Sequence, residues 1–192
     1  MMVIEYWQIS GNGHHTEGKS WSMARPIVRR LEGREMKIIA LDLGTKTGWA
    51  ISTPELGVIS GVQVFDVKRG ESPGMRYLRF SVWMFELITQ VEPNLMAYEA
   101  PHHRGGAATE ILNGFSTRIQ EYCADYGIEY QSVHTGTLKK YATGSGRASK
   151  EEMIAAAQKK YPDQQIEDDN QADALCILDW ATSEFVNKEQ NY

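Results

Sequence analysis

The stretch Ile38-Ile39-Ala40-Leu41-Asp42-Leu43-Gly44-Thr45-Lys46-Thr47-Gly48-Trp49-Ala50 constrains this chain more than any other. Residues 37–43 form a near-continuous apolar run, the pattern of a central strand covered on both faces. The run carries one carboxylate, Asp42, followed by a glycine turn and a second apolar strand. An acid in that place is most often a turn residue. As a metal ligand it would need other acids to converge on it from farther along the chain.

The rest of the chain reads as a single α/β domain behind an extension. Residues 1–35 include Gly11-Asn12-Gly13-His14-His15 and Arg29-Arg30-Leu31-Glu32-Gly33-Arg34, and show no sustained helical or strand period. They lack the apolar centre of a secretory signal. They are expected to be a poorly ordered N-terminal extension, with His14-His15 solvated and Met36 a candidate natural start. Residues 36–192 are expected to fold as one domain. Strands are predicted over 37–43, 47–52 and 58–67, the later two as an antiparallel pair. A helix over 75–91 places Leu78, Val82, Phe85 and Ile88 at helical spacing, and Pro93 stops it. A strand over 95–99 ends in Glu99. Helices are predicted over 107–126, 138–141, 149–161 and 170–186, with a strand over 128–133.

Composition narrows the possibilities less. The hydrophobic fraction of 42% and charged fraction of 23% are those of an ordinary globular domain. No apolar run approaches the roughly 20 residues that span a bilayer, so no membrane association is expected. Cys123 and Cys176 lack metal-ligand spacing and read as small buried hydrophobes in a reducing, cytoplasmic compartment. The net charge of −5 does not favour a nucleic-acid binder. Metal-binding carboxylates themselves add negative charge, however, and local basic stripes still track phosphates on acidic proteins.

Asp42 and Glu99 each stand at the carboxyl end of a predicted strand, the edge where open α/β sheets hold ligands. The last helix begins Asp169-Asn170-Gln171-Ala172-Asp173, and residues three or four apart share a helix face. Asp173 can therefore point with Asn170 or with Asp169. Together these acids offer the all-oxygen donor set that hard divalent cations require. Singly, each has an ordinary structural role, and Asp169 is well placed as a helix N-cap. Gly144-Ser145-Gly146 lacks the spacing and the strand-to-helix context of an NTPase phosphate loop.

Asp42-Leu43-Gly44, Glu99 after its strand, and Ala172-Asp173-Ala174-Leu175 resemble the ribonuclease H-like nuclease superfamily. Within it, Leu138-Lys139-Lys140-Tyr141-Ala142-Thr143-Gly144-Ser145-Gly146-Arg147-Ala148-Ser149-Lys150 resembles the RuvC-type Holliday junction resolvases, especially phage-borne ones. The likeness covers residues 36 to about 185. It implies a mixed sheet, three antiparallel strands plus parallel strands, flanked by helices. It makes Asp42, Glu99 and Asp173 catalytic metal ligands for two Mg²⁺ ions, with Mn²⁺ as a substitute. The family's fourth acid falls on Asn170 here, so either Asn170 ligates through its carbonyl oxygen or Asp169 takes over. Asp169 is the favoured choice. Lys139 and Lys150 match the family's two functional lysines, which bind phosphate or stabilise charge at the scissile phosphate, and Lys150 is counted among the catalytic residues. Where the family often carries an aromatic wedge, this chain has His102-His103-Arg104, either DNA contacts or a solvated loop. The implied activity is paired, symmetric nicking of Holliday junctions by a homodimer, leaving 5′-phosphates, in recombination, repair or phage DNA processing. For a phage-borne enzyme the compartment would be the bacterial host cytoplasm. Helices 75–91 and 107–126 are both candidate dimer surfaces.

Three rival readings carry different weights. Actin-like kinases and ATPases share the Asp-Leu-Gly-Thr element but need a second copy of it and a much longer chain. A ribonuclease H-like nuclease acting on flaps or RNA–DNA hybrids shares the metal chemistry. A non-catalytic DNA-binding scaffold would have no call for the acids, and all three are present.

Overall fold

The computed structural model describes residues 36–101, 105–166 and 168–187. The candidate contacts His102, His103 and Arg104 and the N-terminal extension lie outside these residues.

Five strands form one sheet: β1 (Ile38–Asp42), β2 (Lys46–Thr53), β3 (Gly57–Val64), β4 (Leu95–Glu99) and β5 (Glu129–Val133), in the order β3-β2-β1-β4-β5. β1, β2 and β3 form an antiparallel meander, whereas β4 and β5 run parallel to β1. The parallel pairings require crossovers. These are supplied by α1 (Gly74–Val91), between β3 and β4, and α2 (Gly106–Tyr126), between β4 and β5. α3 (Thr135–Thr143), α4 (Lys150–Lys160) and α5 (Asp169–Thr182) follow, with a short π-helical turn over Ser183–Asn187. The mixed sheet, antiparallel strands on one side and parallel on the other, matches the expected ribonuclease H-like arrangement.

β1 is buried on both sides, as its composition requires, and the period of two assigns its residues to two cores. Ile39 and Leu41 join Met96, Tyr98, Phe80, Met84, Ile88 and Phe115 under α1 and α2. Ile38 and Ala40 join Ala50, Leu95 and Ala97 beneath α3, α4 and α5. Asp42 and Glu99 continue the second set, because each is an even number of residues along its strand from Ala40 or Ala97. Alternation alone therefore turns both acids toward the face that α5 covers.

That face is built from small side chains. Ala40, Ala50 and Ala97 of the sheet share one core with Ala172, Ala174 and Ala181 of α5, all fully buried. α5 is apolar on nearly every side, as a helix enclosed by a sheet and by α4 must be. The closest approach is at Gly48 of β2, where a Cβ would overlap the carbonyl of Asn170. No other residue lets the start of α5 sit against β2.

Two expectations change in detail. α1 turns Phe80, Met84 and Ile88 inward, while Leu78, Val82 and Phe85 face out and are 60%, 58% and 48% exposed. The helix carries two apolar stripes, and only Ile88 of the four residues singled out belongs to the inner one. α3 also begins three residues before the predicted 138–141 helix. Thr135-Gly136-Thr137 has weak helix propensity, and the turn is held by its place directly after β5.

Candidate active site

The parallel register of β1 and β4 pairs Leu41 with Tyr98, so Asp42 and Glu99 are the next residues in step on neighbouring strands. α5 lays Asp173 across the same edge. The three acids line one open cleft of about 330 Å³ together with Thr135, Lys139 and Lys150. Leu112 of α2 and Met153 of α4 contribute apolar wall. Strand pairing, alternation and the close seat of α5 thus bring together acids that are 57 and 74 residues apart in sequence.

The turn after Asp42 is fixed internally. Thr47, fully buried, donates from Oγ1 to the Gly44 carbonyl at 2.7 Å and accepts from the Gly44 N–H at 3.3 Å. The next residue in the turn region, Lys46, forms an ion pair with Asp168. Asp168 is the N-cap of α5, its Oδ1 accepting from the Asn170 N–H at 2.9 Å and from Asn170 Nδ2 at 2.6 Å. Burial pushes the Asp168 carboxyl up, but the hydrogen bonds from Lys46 and Asn170 outweigh it and hold the group below its usual value. The cap is therefore Asp168, not Asp169. One residue on, Asp169 is free of capping duty and is ion-paired to Lys150.

This distinction bears on the fourth acid. Asp169 contributes to the electrostatic field that raises both Asp42 and Asp173. The Asn170 side chain is drawn into the cap, and its backbone carbonyl packs on Gly48.

The two lysines sit differently. Lys139 is partly buried, and its Nζ donates to the Ala148 carbonyl at 2.6 Å, tying α3 to the loop that leads into α4. Lys150 is the first residue of α4, held there by a capping box in which Ser149 Oγ accepts from the Glu152 N–H at 3.2 Å and the Glu152 carboxylate accepts from the Ser149 N–H at 2.7 Å. A cation at a helix N-terminus opposes the helix dipole. The hydrogen bond with Asp169 is the main compensation and raises the Lys150 ammonium above its usual value.

The acids themselves are in tension. Asp42 is pushed well above the usual carboxylate range, first by burial and then by Asp173, Glu99, Asp169 and Asp168. Asp173 is pushed up to about 6, first by burial and then by Glu99 and Asp169, with Lys139 and Lys150 opposing. Carboxylates gathered for stability alone would be paired one to one with cations. These repel one another across a cleft open to solvent.

A separate hollow of about 410 Å³ between α3, α4 and α5 contains none of these residues. Its polar groups satisfy each other, with Lys160 paired to Asp179 at 2.9 Å and the Tyr141 hydroxyl 3.2 Å from the same carboxylate. Cys123 and Cys176 are both buried with thiols pushed up to about 12 by burial, inert as their sequence setting suggested.

Comparison of the sequence with protein-family models and with curated proteins gives no match. Comparison of the fold does. RuvC of Thermus thermophilus in complex with a Holliday junction substrate superposes with a TM-score of 0.66 at 18% identity, covering 81% of this chain and 97% of that one. A second T. thermophilus RuvC structure gives a TM-score of 0.63 at 18% identity over the same shares. The fold is that of RuvC. At this identity the likeness speaks for the architecture alone.

The acidic side chains of the cleft suit a hard divalent cation by donor type. The set is all carboxylate oxygen, it opens onto the cleft, and its mutual repulsion is the kind that a bound cation relieves. Among the described residues no three acid, histidine or cysteine side chains already form a closed cage. Coordination would require the carboxylates to turn inward, and Asp169 to exchange Lys150 for the ion. Among the described residues no helix is long and apolar enough to cross a membrane.

Lys46, Gly48, Thr135 and Asp168 are the residues that sequence reasoning missed. The Ser-x-x-Glu pattern at 149–152 announces the start of α4 and hence the position of Lys150, but nothing comparable marks these four. Each acquires its role from a partner distant in sequence.

Proposed function

We propose that this protein is a divalent-metal-dependent endonuclease acting on branched DNA, with the four-way Holliday junction as preferred substrate and 5′-phosphate ends as products. The observation that carries this reading is the convergence of Asp42, Glu99 and Asp173 into one cleft that also presents Lys139 and Lys150. The structural likeness to RuvC, seen in one case with a Holliday junction substrate, favours a junction over other nucleic acids.

Asp42, Glu99, Asp173 and Asp169 would hold Mg²⁺, with Mn²⁺ as a substitute; bound there, such ions supply a hydroxide nucleophile and neutralise charge on the phosphate. Lys139, anchored through Ala148, presents a fixed positive charge inside the cleft. Lys150, at the exposed rim, contacts the scissile phosphate and stabilises its developing charge. His102, His103 and Arg104, which come shortly after Glu99 in the sequence, are the proposed contacts to flanking DNA.

Paired nicking calls for a two-fold assembly. The outward stripe Leu78, Val82 and Phe85 supports α1 as the homodimer face, since α2 exposes no comparable row of large apolar side chains. The protein would serve recombination, repair or phage DNA processing, wherever four-way junctions arise.

A cleavage assay on a synthetic four-way junction, matched duplex, flap and RNA–DNA hybrid, with Mg²⁺ and with chelator, tests the proposal. Junction cleavage that requires Mg²⁺ and is abolished in Asp42→Asn is expected. Preference for flap or hybrid would keep the nuclease and discard the resolvase; cutting in chelator would discard both.

A further inference from the structure

We propose that Thr135 is a positioning residue that orients Glu99 toward the bound cation, an inference that rests on the metal-nuclease reading above. Thr135 Oγ1 donates to Glu99 Oε1 at 2.5 Å, and both residues line the cleft. The contact is set by the sheet. Val133 pairs with Glu99 in the parallel β4–β5 register, and the Ala100 N–H donates to the Val133 carbonyl at 2.8 Å. Two residues past Val133 the chain enters α3, so Thr135 stands at the same edge as the carboxylate that it meets.

The hydroxyl is not there to cap the helix. His134, not Thr135, is the N-cap of α3, and the His134 side chain makes no cap hydrogen bond. A glutamate side chain has three rotatable bonds, and ordering it on cation binding costs entropy. A donor on one oxygen restricts those rotamers beforehand, at a carboxylate that lines the cleft. Asp42 and Asp173 reach the cleft on shorter side chains. Glu99 has the longest side chain of the proposed ligands and the greatest need of a guide.

The test is Mn²⁺ affinity of the full chain, measured by calorimetry, for wild type, Thr135→Val, Thr135→Ala and Thr135→Ser. Loss of a hydrogen-bond partner behind a metal ligand weakens affinity by about 10–100-fold. That loss is expected for Thr135→Val and Thr135→Ala, with Thr135→Ser restored to near the wild-type value. Thermal midpoints in chelator should agree among all four, which separates positioning from damage to the fold. On a junction substrate, kcat should fall while KM for DNA stays level. Wild-type binding with equal affinity in Thr135→Val and Thr135→Ala would overturn this inference and leave the nuclease reading standing. So would a Thr135→Ser protein as weak as Thr135→Val. A wild-type protein that binds no Mn²⁺ would overturn the nuclease reading and this inference together.

Discussion

Asp173→Asn is expected to make the metal-free protein more stable while destroying its activity. The Asp173 carboxyl is raised from 3.8 to about 6 by burial and by Glu99 and Asp169. A carboxyl that holds its proton more tightly in the folded chain than in the unfolded one makes stability fall as pH rises. The loss begins near pH 4, where the unfolded group ionises, and is complete once the pH passes the folded value. Between those two values the cost reaches about 3 kcal/mol, and water in the open cleft screens part of it, leaving about 1–3 kcal/mol at pH 8. Asn keeps the shape and removes the charge. For a chain of this size about 1–3 kcal/mol is a rise in thermal midpoint of about 2–12 °C. Calorimetric melting in chelator should show that rise at pH 8, about half of it at pH 5, midway between the unfolded and folded values, and little of it below pH 4, where the group is protonated in both states. Mg²⁺ should raise the wild-type midpoint at pH 8 and leave the variant's unchanged. A variant that melts at or below wild type in chelator at pH 8 would refute the reasoning, since it would place Asp173 in a stabilising interaction instead of a repulsive one.

Gly48→Ala should destabilise the fold by about 1–3 kcal/mol or more, because the new methyl overlaps the Asn170 carbonyl and α5 must lift; urea unfolding measures it, and a neutral result would mean that α5 does not seat there. Asp169→Ala should weaken Mn²⁺ affinity at least tenfold more than Asn170→Ala in calorimetric titration, whereas Asn170→Ala should chiefly cost stability through the lost bond to Asp168. Replacing Leu78 and Phe85 together by glutamate should give a folded monomer by sedimentation equilibrium and leave the thermal midpoint within a few degrees, since both side chains face outward.

How far the sequence reached depended on the range over which each feature is decided. The strand of residues 37–43 and the short strand ending in Glu99 are local patterns that formed within a residue of their expected bounds; the apolar last helix starts one residue early and ends at Thr182, with a π-helical turn over Ser183–Asn187 taking up the rest of the expected 170–186. Convergence of the acids was legible too, because strand alternation and the strand-end rule act on each segment separately. The inner face of α1 was not, since both of its stripes have helical spacing and only docking on β1 and β4 chooses between them. The N-cap was misplaced by one residue because Asp168 and Asp169 are equally good cap formers; the ion pair from Lys46, 122 residues away, goes with the first.

The same contrast separates the ligands of the proposed site from the parts that aim them. Asp42, Glu99 and Asp173 are conspicuous because an acid on a buried face is unusual wherever it occurs. Gly48, Thr135 and Asp168 are common residue types in common places, a strand, a helix start and a helix cap. Their meaning lies in what they meet: the Asn170 carbonyl, the Glu99 carboxylate and the Lys46 ammonium. Each of those contacts joins an acid-bearing element to a neighbour it would otherwise only pass. Gly48 and the Lys46–Asp168 pair fix the start of α5 against the β1–β2 turn, and with it the distance of Asp169 and Asp173 from Asp42. Thr135 fixes β4 to the start of α3, and with it Glu99 to the lysine-bearing side of the cleft. A variant survey of the acids alone would identify the chemistry; the geometry that makes it productive would show only when these three supports are changed while every acid is kept.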